Sequence, residues 1–159
     1  MKGKKYFKWD VHHHILPDFY VNEMKQSGMK DISSIKWPEW TPETSLKMMD
    51  VFQIEKAFMS TIPGVFIRDV QFSKELYIPD KNTGNGGHKC LSTIPGVFIR
   101  DVQFSKELCR RCNEYLAKLR NDYPERFGGF ASATLPHVES AIEEVIYALD
   151  ELKLDRSEE

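Results

Sequence analysis

The sequence lacks the features that identify membrane proteins and proteins that bind polyanions. No window approaches the roughly 18 apolar residues of a membrane-spanning helix, and the lysine-rich start precedes too short an apolar stretch for an export signal. Lysine and arginine, 22 residues, nearly balance aspartate and glutamate, 24 residues. Because neither sign forms a block, the sequence predicts no nucleic-acid partner and no membrane partner. Without an export signal or a membrane-spanning window, it also predicts a cytoplasmic location.

Cysteine is also scarce, with three residues in a chain of 159. In a reducing compartment Cys90, Cys109 and Cys112 stay reduced. Cys109 and Cys112 have the Cys-x-x-Cys spacing of redox or zinc sites, and His88 with Cys90 would complete a set of four ligands. Since the pair lies within a predicted helix and outside any redox context, packing is the favoured interpretation.

One segment of the chain occurs twice without a substitution. STIPGVFIRDVQFSKEL begins at Ser60 and again at Ser92, an offset of 32 residues. Structural repeats let most positions drift and need about three units to bury a continuous core. An exact pair therefore favours a tandem duplication, inserted at about 60–91 with a linker over 77–91, within a single domain that spans residues 1–159.

The sequence that flanks each copy indicates how the duplication is placed. The second copy continues into a long amphipathic pattern, and a helix is predicted over Val102–Tyr123. The first copy follows directly on an apolar strand, Lys56–Ser60, but then runs into a turn-rich stretch that contains Pro79. We therefore expect the chain to leave that strand, pass through an excursion over about Tyr77–Lys89, and return into the helix.

Strand and helix patterns alternate along the rest of the chain. Thr41-Pro42-Glu43 marks a helix start, with a threonine N-cap, a proline and an early acid, and residues 138–152 form an amphipathic helix with acids opposite its apolar stripe. Strands are predicted over Tyr6–Val11, Lys56–Ser60 and Gly128–Leu135, and a short helix or loop over Pro17–Met29. This alternation predicts an α/β fold with right-handed βαβ units around a parallel sheet.

Three consecutive histidines, His12 to His14, directly follow the first predicted strand. Side chains alternate along a strand, so His12 and His14 point to one side and His13 to the other. Two imidazoles on one side suit zinc (Zn) and neighbouring divalent metals such as manganese (Mn). Alone, the His-x-His spacing is weak evidence, and ordinary surface or core histidines are the better interpretation.

Longer segments around the histidines change that balance. They are DVHHHILPDFY at Asp10–Tyr20, WTPETSLKMMDVFQIEKAFMS at Trp40–Ser60 and NEYLAKLRNDYPERFGGFASATLPHVESAIEEVIYALDEL at Asn113–Leu152. Together they resemble the amidohydrolase-related (amidohydrolase 2) family, which includes aminocarboxymuconate semialdehyde decarboxylase. The resemblance covers nearly all of the chain except residues 77–91 and one duplicated copy.

The resemblance implies a metal-dependent amidohydrolase or decarboxylase that acts on a small carboxylate. His12 and His14 would be its first two metal ligands, at the C-terminal mouth of the first barrel strand. Asp10 would support the end of that strand. The metal would be zinc or another divalent ion such as manganese, acting as a Lewis acid or activating water. The family's later ligands, a histidine and an aspartate, have no counterpart in this sequence.

Other residues are weaker candidates for the same site. Trp40 and Arg100 are predicted to contact the substrate, and Arg68 occupies the position of Arg100 in the other copy. A hydrophobic clamp remains an equal interpretation of Trp40. His137 could face the site from the end of the third strand, but a helix N-terminal position without a ligand role is favoured.

The length of the chain limits the architecture. A closed (β/α)8 TIM barrel takes roughly 250 residues, so the sequence predicts the N-terminal portion of such a barrel, with about three βα units that cannot close as a single chain. We expect a truncated enzyme, with a catalytically inactive fragment that binds metal weakly or self-associates as the alternative. Because an unclosed barrel exposes sheet edges, the sequence is also compatible with assembly into a homo-oligomer. A histidinol-phosphatase-like phosphoesterase is a third interpretation, which the later segments fit poorly.

Overall fold

Strands and helices alternate in the computed structural model, which describes residues 8–26, 31–32, 35–61, 102–135 and 137–157. No helix among these residues has the length and apolar character needed to cross a membrane. Most of the first copy, the linker and the start of the second copy lie outside the described residues. In chain order the elements are β1 (Trp9–Ile15), α1 (Asp18–Gln26), β2 (Asp31–Ile32), β3 (Ile35–Lys36), α2 (Pro42–Phe52), β4 (Lys56–Thr61), α3 (Val102–Asp122), β5 (Phe127–Ala131), α4 (Val138–Ile146), a π-helical turn (Tyr147–Glu151) and β6 (Arg156–Ser157).

The main sheet is parallel, and its strand order follows the chain. Its order is β1-β4-β5-β6, while β2 and β3 form a separate antiparallel pair. In a doubly wound sheet the strand order reverses at a switch point, whereas in a barrel each strand is added on the same side as the last. The predicted α/β fold with a parallel sheet is confirmed, and Arg156–Ser157 adds a fourth strand, β6, to it.

One face of the sheet packs against helices and holds the main core. Ala57 and Met59 of β4 are fully buried there, in one cluster with Met49 of α2 and Leu116 of α3. Because side chains alternate along a strand, Phe58 and Ser60 lie on the opposite face. A second cluster joins α1 to α3 and includes Tyr20, Met24, Leu108 and Cys112.

Helix α2 begins where the sequence predicts it. Thr41 is the N-cap, and its side chain accepts a hydrogen bond from the backbone N–H of Thr44 at 3.3 Å. The side chain of Thr44 in turn accepts from the backbone N–H of Thr41 at 3.1 Å. Pro42 occupies the first turn, where its missing N–H removes no helical hydrogen bond. This reciprocal capping and the early proline fix the start of the helix.

Strand β5 is shorter than the sequence predicts. It ends at Ala131, whereas the run of small residues predicted a strand as far as Leu135. The reason lies on α3: the side-chain oxygen of Asn113 accepts the backbone N–H of Ser132 at 2.8 Å, and its amide donates to the Ser132 carbonyl at 3.0 Å. The Asn113 side chain thus forms hydrogen bonds with the N–H and the carbonyl of Ser132, the two backbone groups that would otherwise bind a neighbouring strand.

Helix α4 turns a different face to the core from the one expected. It runs from Val138 to Ile146 and continues as a π-helical turn. Glu144 is only 2% exposed, whereas Val138, Ile142 and Ile146 are more than half exposed. The prediction that acids lie opposite the buried face was wrong at Glu144, because this carboxylate binds Arg110 at 2.8 Å and Asn113 at 2.9 Å.

Three aromatic rings form a row across the sheet face that lies away from the helices. Trp9 and Phe58 have ring centroids 5.9 Å apart, and Phe58 stacks on Phe130 at 5.4 Å. The row depends on Gly128 of β5, because a Cβ atom there would lie 2.5 Å from Cδ1 of Phe58. The absence of a side chain at Gly128 is what lets the Phe58 ring lie over β5.

Replacing Gly128 by alanine is expected to lower the free energy of unfolding by about 1–3 kcal/mol, the usual cost of overpacking. Urea denaturation measures the loss. In a Phe58→Leu background the smaller side chain leaves room for a Cβ at residue 128. The Gly128→Ala substitution should therefore lower the free energy of unfolding clearly less than it does with Phe58 present. Equal losses in both backgrounds would show that the contact with Phe58 does not limit the size of residue 128.

Candidate metal centre

The three histidines lie inside β1 and not beyond its end. The sequence predicted the strand to end at Val11, but pairing with β4 continues to Ile15, with His13 opposite Met59 and His14 opposite Ser60. The pairing shifts register between Asp10 and His13. Because His14 is the penultimate residue of β1, the histidines reach the C-terminal edge of the parallel sheet, the edge at which barrel enzymes place their sites.

The imidazoles of His12 and His14 converge, as their spacing predicts. Their Nε2 atoms are 3.1 Å apart, and the rings meet edge to face with centroids 4.6 Å apart. The Nδ1 atom of His14 lies 3.1 Å from the hydroxyl oxygen of Ser60 on β4. This contact puts His14 on the sheet face away from the helices. His12 is exposed and His14 is half-buried, so ligands can reach the pair.

The spacing of the two nitrogen atoms fits a shared cation. Two imidazole nitrogens about 2.0–2.1 Å from one zinc ion, at a tetrahedral angle, are about 3.3 Å apart. When the Nδ1 proton of His14 is donated to Ser60, the lone pair of Nε2 is free to bind metal. Among the described residues no group of three or more His, Cys, Asp or Glu side chains is placed to hold an ion. A cation held by this pair would need further ligands.

His13 points to the opposite side of the strand, as predicted, and is buried. Its Nδ1 lies 3.0 Å from the Asp10 carboxylate, and its Nε2 lies 2.8 Å from the Ser45 hydroxyl on α2. The indole N–H of Trp40 donates to the same hydroxyl at 2.9 Å. The sequence showed which way His13 points but gave no signal for Ser45, because the two residues are 32 positions apart.

Asp10 closes this group of polar contacts at the strand. One carboxylate oxygen accepts from His13, and the other accepts the backbone N–H of His12 at 3.1 Å. Burial raises the pKa of the Asp10 carboxyl, but the hydrogen bonds from His13 and from the His12 backbone outweigh it. The pKa therefore lies below its ordinary value, and the carboxylate is ionised at neutral pH.

The structure describes two of the other candidate residues, Trp40 and His137. Trp40 is half-buried and packs against both core clusters, so the structure adds a packing role to its predicted substrate contact. His137 is the N-cap residue of α4, as expected for a helix N-terminal position. Arg100 and Arg68 lie outside the described residues.

The Cys-x-x-Cys pair packs inside the protein. Cys109 and Cys112 are both buried and in the thiol form. Cys109 donates to the backbone carbonyl of Ala133 at 3.4 Å, and Cys112 belongs to the core cluster of α1 and α3. Burial raises the pKa of the Cys112 thiol far above its ordinary value, with the nearby Cys109 adding to the effect. Such a thiol is a poor nucleophile, which agrees with the packing interpretation.

Comparison with known proteins gives relatives along almost the whole chain. The chain is 39% identical over 152 residues to the decarboxylase yanB of Aspergillus niger. The aligned region covers 92% of this chain and 32% of yanB. The chain is 35% identical over 152 residues to the decarboxylase macB of Penicillium terrestre, over 92% of the chain and 35% of that protein. The 6-methylsalicylic acid decarboxylase acuB of Aspergillus aculeatus is 28% identical over 151 residues, which are 93% of the chain and 36% of that protein.

Solved structures with the same fold extend this result. A crystal structure of an amidohydrolase II superposes with a TM-score of 0.66 at 25% identity, over 91% of the chain and 37% of the other protein. The 2,6-dihydroxybenzoate decarboxylase from Rhizobium superposes with a TM-score of 0.56 at 20% identity, over 96% of this chain and 38% of the other protein. The 5-carboxyvanillate decarboxylase from Novosphingobium aromaticivorans, with bound manganese, superposes with a TM-score of 0.60 at 16% identity, over 96% of this chain and 41% of the other protein.

The homologues of this chain are decarboxylases of the amidohydrolase fold. The chain spans about a third of the length of the curated relatives it matches, and no protein-family model matches it. The predicted fold, part of an amidohydrolase (β/α)8 barrel, is confirmed. In such a barrel the sheet face that carries the aromatic row and the histidine pair is the interior, and the outer face is covered by helices.

Proposed function

We propose that this protein is a metal-dependent decarboxylase of a small aromatic carboxylate, and that His12 and His14 are two of its metal ligands. The observation that carries the proposal is the 3.1 Å separation of their Nε2 atoms at the C-terminal edge of the sheet. The decarboxylase names of the relatives support this reaction over the hydrolysis that the amidohydrolase fold also allows.

Manganese is the first metal to test, and zinc is the second. Neutral imidazoles bind both ions, and the neighbour 5-carboxyvanillate decarboxylase has manganese bound. A bound divalent cation would supply Lewis-acid stabilisation of negative charge on the substrate. The remaining ligands would come from residues other than those that the structure describes.

The residues of this chain have separate tasks in the proposal. His12 and His14 would direct their Nε2 atoms at one cation. Ser60 would accept a hydrogen bond from the Nδ1–H of His14, because that tautomer leaves Nε2 unprotonated for the metal. In the reaction the bond between the ring carbon and the carboxylate carbon breaks, carbon dioxide leaves, and a proton replaces it on the ring. The aromatic substrates named for acuB and for the Rhizobium enzyme suggest salicylate-type probes.

Manganese binding by the full chain tests the ligand assignment. The electron paramagnetic resonance signal of free Mn²⁺ should fall as the ion binds. Replacing His12 and His14 together by alanine should remove this binding. His137→Ala removes an imidazole elsewhere on the chain and should leave binding at the wild-type level. Equal binding by all three proteins would contradict the assignment.

A second candidate function is a catalytically inactive chain that binds metal weakly. It is favoured by the finding that the described residues group no more than two metal-binding side chains. Incubating the metal-loaded chain with 2,6-dihydroxybenzoate or 6-methylsalicylate and measuring the decarboxylated product separates the two. Metal-dependent product that is lost in the His12→Ala/His14→Ala variant supports the decarboxylase. Metal binding without product supports the inactive chain.

A further inference from the structure

A series of hydrogen bonds runs behind β1 and ends at the backbone of a proposed metal ligand. The indole N–H of Trp40 donates to the Ser45 hydroxyl at 2.9 Å, and this hydroxyl lies 2.8 Å from Nε2 of His13. On the other side of the His13 ring, Nδ1 lies 3.0 Å from Asp10, whose second oxygen accepts the backbone N–H of His12 at 3.1 Å. His13, in the middle of this series, is buried on the side of β1 opposite His12 and His14.

The chemistry of the two ends sets the direction of the series. The indole of Trp40 can only donate, and an ionised carboxylate such as Asp10 can only accept. His13 must therefore donate from Nδ1 to Asp10. The single hydroxyl proton of Ser45, whose oxygen already accepts from Trp40, is then available to Nε2 of His13. This assignment gives each of these polar groups a partner and places a proton on Nδ1 of His13.

The series is placed where β1 departs from regular geometry. Asp10 pairs with Ala57 and His13 pairs with Met59, so Val11 and His12 lie opposite the single residue Phe58, as in a β-bulge that contains His12. The pairing of β1 with β4 shifts register between Asp10 and His13. In a regular strand residues three apart lie on opposite faces, so the Asp10–His13 contact also depends on this irregularity.

We propose that Trp40, Ser45 and His13 are positioning residues: acting through Asp10, they hold the irregularity of β1 that brings His12 close enough to His14 to share a divalent cation. The proposal rests on the proposed function of the histidine pair. It gives Trp40 a task behind the strand, different from the predicted contact with substrate. It also gives His13 a task that is not metal ligation.

Breaking the series at Ser45 tests the proposal in the full chain. The Ser45→Ala variant should bind Mn²⁺ at least about tenfold more weakly than wild type, the usual effect of losing an outer-shell partner. Trp40→Phe should weaken binding in the same direction, whereas Trp37→Phe, a matched change at another half-buried tryptophan, should not. Ser45→Thr keeps a hydroxyl and should restore most of the affinity. A general packing defect would not be rescued by the hydroxyl alone.

Two measurements on the metal-free chain separate this proposal from the metal assignment. Nitrogen NMR of the His13 ring should show the proton on Nδ1, and the backbone N–H of His12 should exchange faster in Ser45→Ala than in wild type. If wild type binds no Mn²⁺ but both signatures appear, the function fails and the positioning series stands. If His12 exchange and Mn²⁺ affinity are unchanged in Ser45→Ala and Trp40→Phe, the positioning proposal is overturned.

Discussion

Replacing Asn113 by alanine is expected to lower the free energy of unfolding by about 3–4 kcal/mol. Asn113 is fully buried, and its amide group makes three hydrogen bonds, two to the backbone of Ser132 and one to Glu144. Alanine would leave these groups without partners in the interior. Each buried unpaired group costs about 1–3 kcal/mol, and the lost side-chain volume adds to the total. Urea denaturation at neutral pH measures the change.

An isosteric variant tests whether hydrogen bonding or volume is responsible. Asn113→Asp keeps the shape but places a second carboxylate beside Glu144, where the amide now donates at 2.9 Å. Two close carboxylates raise the pKa of the pair above the unfolded value. Stability is then greatest below the unfolded pKa and is lost as the pH rises through the folded pKa. The deficit should therefore grow from about pH 4 to pH 7, and a deficit that does not vary with pH would contradict this account.

Replacing Leu116 by alanine should cost about 2–5 kcal/mol, the range for deletion of a buried leucine side chain. Leu116 is fully buried where α3 meets the sheet, in the cluster with Met49 and Met59. It also lies within 3.5 Å of the position that a Cβ on Gly129 would occupy, so the backbone of β5 packs directly against it. A loss of this size is a large part of the stability of an ordinary domain. The urea midpoint should fall accordingly.

Two variants of the same helix control for effects other than the cavity. Leu116→Met nearly conserves volume and should cost less than about 1.5 kcal/mol. Lys118→Ala changes an exposed residue whose ion pair with Asp122 stays on the surface of α3, so its urea midpoint should remain near that of wild type. If Leu116→Ala behaved like Lys118→Ala, α3 would not pack against the sheet as described.

The contacts of Asn113 extend toward the proposed metal site. Ser132, whose backbone it holds, places its hydroxyl 2.8 Å from the hydroxyl of Thr61 at the end of β4. The preceding residue of β4, Ser60, contacts His14. The C-terminal edges of β4 and β5 are thus joined by side chains beside the site. We expect stability variants at Asn113 to loosen this edge as well as the core.

The sequence alone determined the features that depend on neighbours along the chain. The alternation of patterns predicted the parallel α/β fold, and the capping residues Thr41 and Pro42 fixed the start of α2. The spacing of His12 and His14 predicted that their rings share one side of β1, which the structure shows. These features follow from helix capping and from the twofold alternation of a strand, both of which act over a few residues.

Only the tertiary structure decided the features that depend on partners far away in the chain. The end of β5 depends on Asn113, 19 positions away from Ser132, and the burial of Glu144 depends on Arg110, 34 positions away. The orientation of His13 was predicted, but its partner Ser45 was not. A buried polar group must be paired, yet local sequence does not specify which distant side chain will pair with it. Folding brings those groups together, and here they shape both the strand ends and the surroundings of the histidine pair.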